Sequence, residues 1–166
     1  GLHFSTFWAQ NEVYPNLQPR FSARYKLTEL LSWKASYARM QQNIHLLSNT
    51  DAGIPTDLWV PSTDQVAPQR SWQVATGLAR PVINKECELS LEGYYREMRD
   101  LIAYREGATF LGSSADWQEL VETGGEGRAY GLELLFQKKT GRLSGWVGYT
   151  LAWSERRFDN VSQGNW

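Results

Sequence analysis

The sequence predicts an all-β fold, an antiparallel up-and-down meander of about seven strands that forms part of the wall of a transmembrane β-barrel. Three observations point there. Apolar and polar residues alternate with period 2 along most of the chain, the mark of strands with two unlike faces. The links between alternating stretches are short and long by turns, as in outer-membrane barrels. The 166 residues include 8 Trp and 8 Tyr against 2 Met, and aromatic residues favour strands and collect at membrane interfaces.

The strands follow in order. "LHFSTFW" at the start reads as the first. "RFSARYKL" sets Phe21, Ala23, Tyr25 and Leu27 against Arg20, Ser22, Arg24 and Lys26. "SWKASYA" sets Trp33, Ala35 and Tyr37 against Ser32, Lys34 and Ser36, and "SWQVATGLA" sets Trp72, Val74, Thr76 and Leu78 against Ser71, Gln73, Ala75 and Gly77. "ELSLEGYYR" places Leu89, Leu91, Gly93 and Tyr95 opposite Glu88, Ser90, Glu92, Tyr94 and Arg96. The clearest hairpin is "RAYGLELLFQKKTGRLSGWVGYTLAW" (128–153), turning at KKTGR. Its apolar set is Tyr130, Leu132, Leu134, Phe136, Leu143, Val147, Tyr149, Leu151 and Trp153. Ala129, Gly131, Glu133, Gln137, Ser144, Gly148, Thr150, Ala152 and Ser154 form the other set.

Short links are expected at 28–31, 81–86 and 138–142, and long ones near 41–69 and 98–126. Strict alternation would gather every short turn at one end of the sheet. The stretch "DLIAYREGATFLG" keeps enough alternation to carry strands beyond the membrane into its loop. Tyr130, Tyr149, Trp153, Trp33 and Trp72 are expected near strand ends, where an interfacial girdle would put them. From pattern alone, a soluble β-sandwich or small barrel acting as a binding or structural module remains the competing class.

Composition narrows the function. With 17 Lys+Arg against 18 Asp+Glu, the net charge of −1 lacks the basic footprint of a nucleic-acid binder. No run of about 18 apolar residues occurs, so no transmembrane helix is expected; the mean hydropathy of −0.50 does not argue against barrel strands, which alternate and average out polar. The single Cys87 allows no internal disulfide, and His3 and His45 have no ligand spacing around them. The glycine cluster "GGEGRAYG" (124–131) precedes a strand and lacks the Lys-Ser/Thr of a phosphate loop, so it reads as a loop re-entering a crowded wall. Asp51, Asp57 and Asp64 do not have calcium-loop spacing. "LGSSADW" has serines without a nearby histidine or nucleophile elbow. No metal, cofactor or catalytic residue is expected, and the chain is not read as an enzyme.

Four stretches carry a family resemblance. "NLQPRFSARYKLTELLSWKASYARMQQNIHLLS" (16–48), "LWVPSTDQVAPQRSWQVATGLAR" (58–80), "LSLEGYYREMRDLIAYREGA" (89–108) and "GEGRAYGLELLFQKKTGRLSGWVGYTLAWSERRFD" (125–159) resemble TonB-dependent outer-membrane receptors, most closely those of Bacteroidetes-type bacteria. The resemblance implies a barrel of about 22 strands around a plug, in the bacterial outer membrane. It also implies uptake, driven through TonB, of a scarce or bulky nutrient: a siderophore, cobalamin, glycan or peptide. The plug domain, the TonB-contacting box and the closing C-terminal strands are absent from residues 1–166, which are therefore expected to be an interior fragment of the barrel domain.

Site expectations follow from this reading. The apolar set of the 128–153 hairpin should face lipid. Arg24, Lys34, Glu92, Arg96 and Glu133 should face the lumen and pair with neighbouring strands or with the plug, since an uncompensated buried charge costs several kcal/mol. Trp59, Tyr104, Phe110 and Trp117 fall in the long loops, where rigid aromatic surface suits an extracellular ligand vestibule or contact with a surface lipoprotein; packing between loops serves equally well.

Overall fold

The computed structural model describes residues 1–9, 12–49, 56–83, 86–105, 116–160 and 166. The described residues form nine strands: β1 (Leu2–Ala9), β2 (Glu12–Lys26), β3 (Ser32–Gln42), β4 (Ile44–Asn49), β5 (Thr56–Pro61), β6 (Gln69–Val82), β7 (Cys87–Tyr104), β8 (Val121–Lys138) and β9 (Gly145–Arg157). Seven of them build one antiparallel sheet in the order β1-β2-β3-β6-β7-β8-β9, while β4 and β5 form a separate hairpin. The meander expected from alternation is therefore the main sheet. The hairpin was hidden inside the long link near 41–69, where prolines and acidic residues mask its pattern.

Links at 27–31, 83–86 and 139–144 lie at one end of the sheet, as the alternation requires. Thr28 closes the first, its Oγ1 accepting from the N–H of Leu30 and Leu31 at 3.3 and 3.0 Å. Gly141, at φ 105, provides the left-handed backbone of the third. Strict alternation fails at the other end, where Ala9 of β1 pairs with Glu12 of β2; residues 10–11 lie outside the described residues. Residues 84–85 of the second short link lie outside the described residues.

β2 begins at Glu12, well before the expected Arg20, although Pro15 and Pro19 lie in its path. The ladder explains why they are tolerated. Gly1 and Arg20 exchange both backbone hydrogen bonds, at 2.8 and 2.7 Å. In an antiparallel ladder the bonding side alternates, so the even residues of this stretch point their backbone groups toward β1. The nitrogens of Pro15 and Pro19 face the other side, where β2 has no partner because its pairing with β3 begins at Arg20. A residue without an N–H fits such an edge.

The glycine cluster is part of β8 itself and not a re-entering loop, because β8 starts at Val121. The sheet bends here: pairing with β7 loses register between Met98 and Leu101 and again before Ala103, and Gly124 takes φ 79. A Cβ on Gly125 would stand 2.2 Å from the Phe158 ring, so the missing side chain makes room for that aromatic cover. Gly131 lets β8 and β9 approach, since a Cβ there would lie 2.6 Å from the Leu151 carbonyl oxygen.

The main sheet carries no packed layer on either side over most of its area. The buried cluster lies instead at the long-link end, where Leu47 of β4, Val60 of β5, Val66, Ile102 of β7 and Val121 of β8 pack together with Leu58, Tyr104 and Trp117. β7 runs to Tyr104, which extends the sheet into this cap as the alternation in "DLIAYREGATFLG" suggests; residues 106–112 of that stretch are outside the described residues.

Candidate functional site

Register sorts the main sheet into two unlike faces. On one, Phe21, Tyr37, Val74, Tyr95, Tyr130 and Trp153 form a single rung across six strands. Four residues nearer the short turns, Tyr25, Trp33, Leu78, Leu91, Leu134 and Tyr149 form a second. The spacing is roughly 13 Å at about 3.3 Å per residue. Neighbouring rings stack along the upper rung, with centroids 5.4 Å apart for Tyr130–Trp153 and 6.4 Å for Tyr95–Tyr130; Trp72 adds a third contact to Tyr95 at 5.5 Å. Each such cross-strand pair contributes on the order of 0.2–1 kcal/mol. Leu132 and Leu151 share the rung between, and Phe136 pairs with Val147 below. Eight of the nine residues of the hairpin's apolar set thus share one face; Leu143 lies in the 139–144 link, outside the strands. Tyr130 and Trp153 stand in mid-strand and not near strand ends, because β8 and β9 continue beyond them.

The opposite face carries all five expected lumen charges. Arg24, Lys34, Gly77, Glu92, Glu133 and Thr150 share one rung. This arrangement puts like beside like: Arg24 is opposite Lys34, and Glu92 is opposite Glu133. Salt bridges between these wall residues, one of the two expected pairings, are not formed among the described residues. Arg24 Nη2 donates instead to Ser32 Oγ at 3.3 Å, and Arg96 Nη2 to Ser71 Oγ at 3.4 Å. Arg96 Nε is buried with no partner among the described residues. Leu135 and Trp146 interrupt the small polar character of this face near the short turns, with the Trp146 ring lying back across Gly148.

These two faces, one aromatic and one polar with unmatched charges, are the anatomy of a barrel wall. The model of the family described as TonB dependent receptor-like, beta-barrel matches residues 3–166. The chain belongs to this family. No curated protein and no solved structure matches it. TonB-dependent receptors are outer-membrane transport proteins and not an enzyme family, and in the intact receptor the barrel works with a plug and with TonB.

In this receptor segment the aromatic residues of the long links fare differently. Trp59, on β5, is 64% exposed beside Phe7 and Ile44. Tyr104 and Trp117 pack against the cap core, so much of their surface is already committed within the fold. Burial raises the Tyr104 phenol above its usual range, and its Oη has no partner among the described residues. Phe110 lies outside the described residues, as do Asp51, Gly107 and Gly112. Trp117 opens a single turn of 3-10 helix, Trp117–Leu120, capped by Asp116. No group of three metal-binding side chains occurs among the described residues.

Sequence reading missed the polar lock under the cap. His45 is fully buried, its Nε2 2.9 Å from Ser62 Oγ, while Nδ1 has no partner among the described residues. Thr63 Oγ1 donates to Gln118 Oε1 at 2.6 Å, and the Thr63 carbonyl accepts from Tyr14 Oη at 2.5 Å. These contacts tie the 62–68 segment to β2 and to the 3-10 turn. The signal was faint: an isolated histidine on an alternating stretch, His45-Leu46-Leu47, with Leu47 also buried.

Burial lowers the His45 pKa below the ordinary imidazole range, so the folded cap holds the ring neutral. The unfolded hairpin takes up a proton that the folded one refuses. Cap stability is therefore complete above pH ~6.5 and declines as pH falls toward the lower folded value. Amide exchange of Leu47 and Val60, corrected for intrinsic rates, should show weaker protection at acidic than at neutral pH. His45→Leu should remove that dependence.

Proposed function

We propose that this chain supplies barrel wall and extracellular cover to a TonB-dependent receptor that imports a nutrient too scarce or bulky for passive diffusion, of the siderophore, cobalamin, glycan or peptide kind. The observation that carries this reading is the pair of aromatic rungs spanning six strands of one face. Such a continuous apolar surface on a soluble module would drive association; against hydrocarbon it is the expected outer surface. Its outline adds support. On β9 the apolar side chains run from Val147 to Trp153, whereas on β1 and β2 they reach Leu2, Phe4, Trp8, Val13 and Leu17, nearer the long-link end. A level membrane crosses tilted strands with such a stagger. Arg80, the charged residue at the short-turn end of this face of β6, is the next side chain on the face after Leu78, where the staggered band ends and its long stem can reach the interface.

The face of Arg24, Lys34, Glu92, Arg96 and Glu133 then lines the lumen. Among the described residues β1 and β9 each pair on one side only, and in the proposed receptor further strands would complete the barrel. The lumen rung presents two cations beside two carboxylates, and a hollow of about 440 Å3 is lined by Arg24, Lys34, Ala75 and Glu92. Its complement is a plug surface of reversed order, acidic toward β2 and β3 and basic toward β7 and β8. Nutrient held by the loops and the plug enters when TonB displaces the plug. Among the described residues, Trp59 is the candidate loop aromatic left exposed to touch that nutrient.

Three measurements bear on this reading. Leu132→Arg, in mid-band, should lose about 2–4 kcal/mol of folding stability in bilayers, while Thr150→Arg on the other face should lose far less; equal losses would overturn the assignment of faces. Reversing Glu92 and Glu133 together to Lys should impair TonB-driven uptake with the barrel still folded, and uptake at the wild-type rate would reject the plug contact. Trp59→Ala should weaken nutrient binding to the receptor by roughly tenfold or more, the scale of a 1.4 kcal/mol contact, without altering thermal stability; unchanged affinity would remove Trp59 from the site.

A further inference from the structure

Above the upper aromatic rung, the apolar face of β3, β6 and β7 turns abruptly basic. Arg39 lies directly opposite Trp72, and Arg70 directly opposite Arg99. Together with Tyr37, Ser71 and Glu97 they line a cleft of about 330 Å3. Like charges on directly opposed residues repel, and the nearby acids relieve this only in part. Glu97 Oε1 accepts from Arg99 at 2.7 Å, and Asp100 stands 3.9 Å from Arg70. Asp100 reaches that position through left-handed backbone, φ 58, where β7 loses register with β8. Arg39 has no ion-pair partner among the described residues. Three cations therefore face two carboxylates. On this same face of β8 and β9 the cations are paired, Arg128 with Glu155 and Arg157 with Glu126.

Directly below, a groove of about 650 Å3 runs between the aromatic rungs. Its floor is small, made by Ala35, Thr76 and Gly93, and its walls include Trp33, Tyr95 and Trp153. The polar group in the floor is satisfied, since Thr76 Oγ1 accepts from Trp33 Nε1 at 2.9 Å and donates to the Lys34 carbonyl at 3.2 Å. The groove thus presents no unmet polar demand to an apolar occupant. Cleft and groove join where Tyr37 pairs with Val74.

We infer that cleft and groove together bind one membrane lipid with a phosphate headgroup, the phosphate held by Arg39, Arg70 and Arg99 and an acyl chain lying over Ala35, Thr76 and Gly93. Guanidinium groups suit phosphate because their planar donors pair two at a time with its oxygens. The site belongs to the face proposed above to meet lipid and rests on that reading.

The test uses the receptor in phosphatidylcholine vesicles containing phosphatidic acid with brominated chains, read by tryptophan quenching, and native mass spectrometry after detergent extraction. Phosphatidic acid should be retained in preference to phosphatidylcholine, and the preference should weaken at high salt. Arg39→Ala combined with Arg70→Ala should lower phosphatidic acid retention roughly tenfold, a change of about 1.4 kcal/mol, and leave phosphatidylcholine retention unchanged. Arg128→Ala should not alter the preference. Equal retention of the two lipids by the unaltered receptor, or an unchanged preference in the double variant, would overturn the inference. So would full displacement by glycerol phosphate, which would make this a site for free phosphate, or an altered oligomeric state in the double variant without loss of lipid, which would give the surface to a second copy. Brominated phosphatidylcholine separates the two levels: its quenching of tryptophan without phosphatidic acid preference rejects this site alone, whereas no quenching by either lipid rejects the lipid-facing reading.

Discussion

Cross-strand register is the constraint on which the rest of this molecule depends. Side chains alternate with a period of two, so a one-residue slip of any strand would exchange its two faces. Five successive pairings, from β2–β3 to β8–β9, keep Tyr25, Trp33, Leu78, Leu91, Leu134 and Tyr149 level and on the same face. The same pairings hold Arg24 beside Lys34 and Glu92 beside Glu133 on the other. Hydrophobic surface, lumen charge and the arginine cleft are three consequences of one alignment.

That alignment also explains why the sheet lacks a core of its own. A soluble sandwich buries the apolar side of one sheet against a second. On the reading proposed above the second surface is the membrane, and the burial that stabilises the wall lies outside the protein. Only beyond the membrane does the chain need an ordinary core, and there the β4–β5 hairpin packs Leu47 and Val60 against Val66, Ile102 and Val121. The two halves obey different rules. In the wall, small residues such as Gly77 and Gly131 bring neighbouring backbones close; in the cap, the buried polar groups are mostly partnered, as with His45 and Ser62.

In the lumen-facing placement proposed above, the rung of Arg24, Lys34, Glu92 and Glu133 shows charge used differently from the opposite face. Beyond the apolar band, Arg128 and Arg157 each find a carboxylate on the adjacent strand. Within the lumen rung the register denies that solution, because each cation's strand neighbour across the sheet is a cation or a glycine. Exposed pairs contribute little to stability, so the outer pairs chiefly shape the electrostatic surface. In the proposed barrel an unmatched rung facing an enclosed lumen has the stronger consequence, since a charge removed from water needs a partner, and the proposed plug contact would supply one.

Sequence by itself determined the class of fold, the two-faced strands and the identity of nearly every side chain on each face of the 128–153 hairpin. It could do so because period-2 alternation is a local property, legible in a few consecutive residues and carried over to the sheet unchanged. It also placed Arg24, Lys34, Glu92, Arg96 and Glu133 opposite the apolar set, for the same reason. Tertiary structure decided what depends on partners distant in the chain. The level rungs, the like-beside-like charges, the passage of β2 through Pro15 and Pro19, and the burial of His45 all follow from which strand lies alongside which, and at what offset. The β4–β5 hairpin and the convergence of Arg39, Arg70 and Arg99 escaped the sequence because their residues acquire common purpose only when separate strands are brought into register.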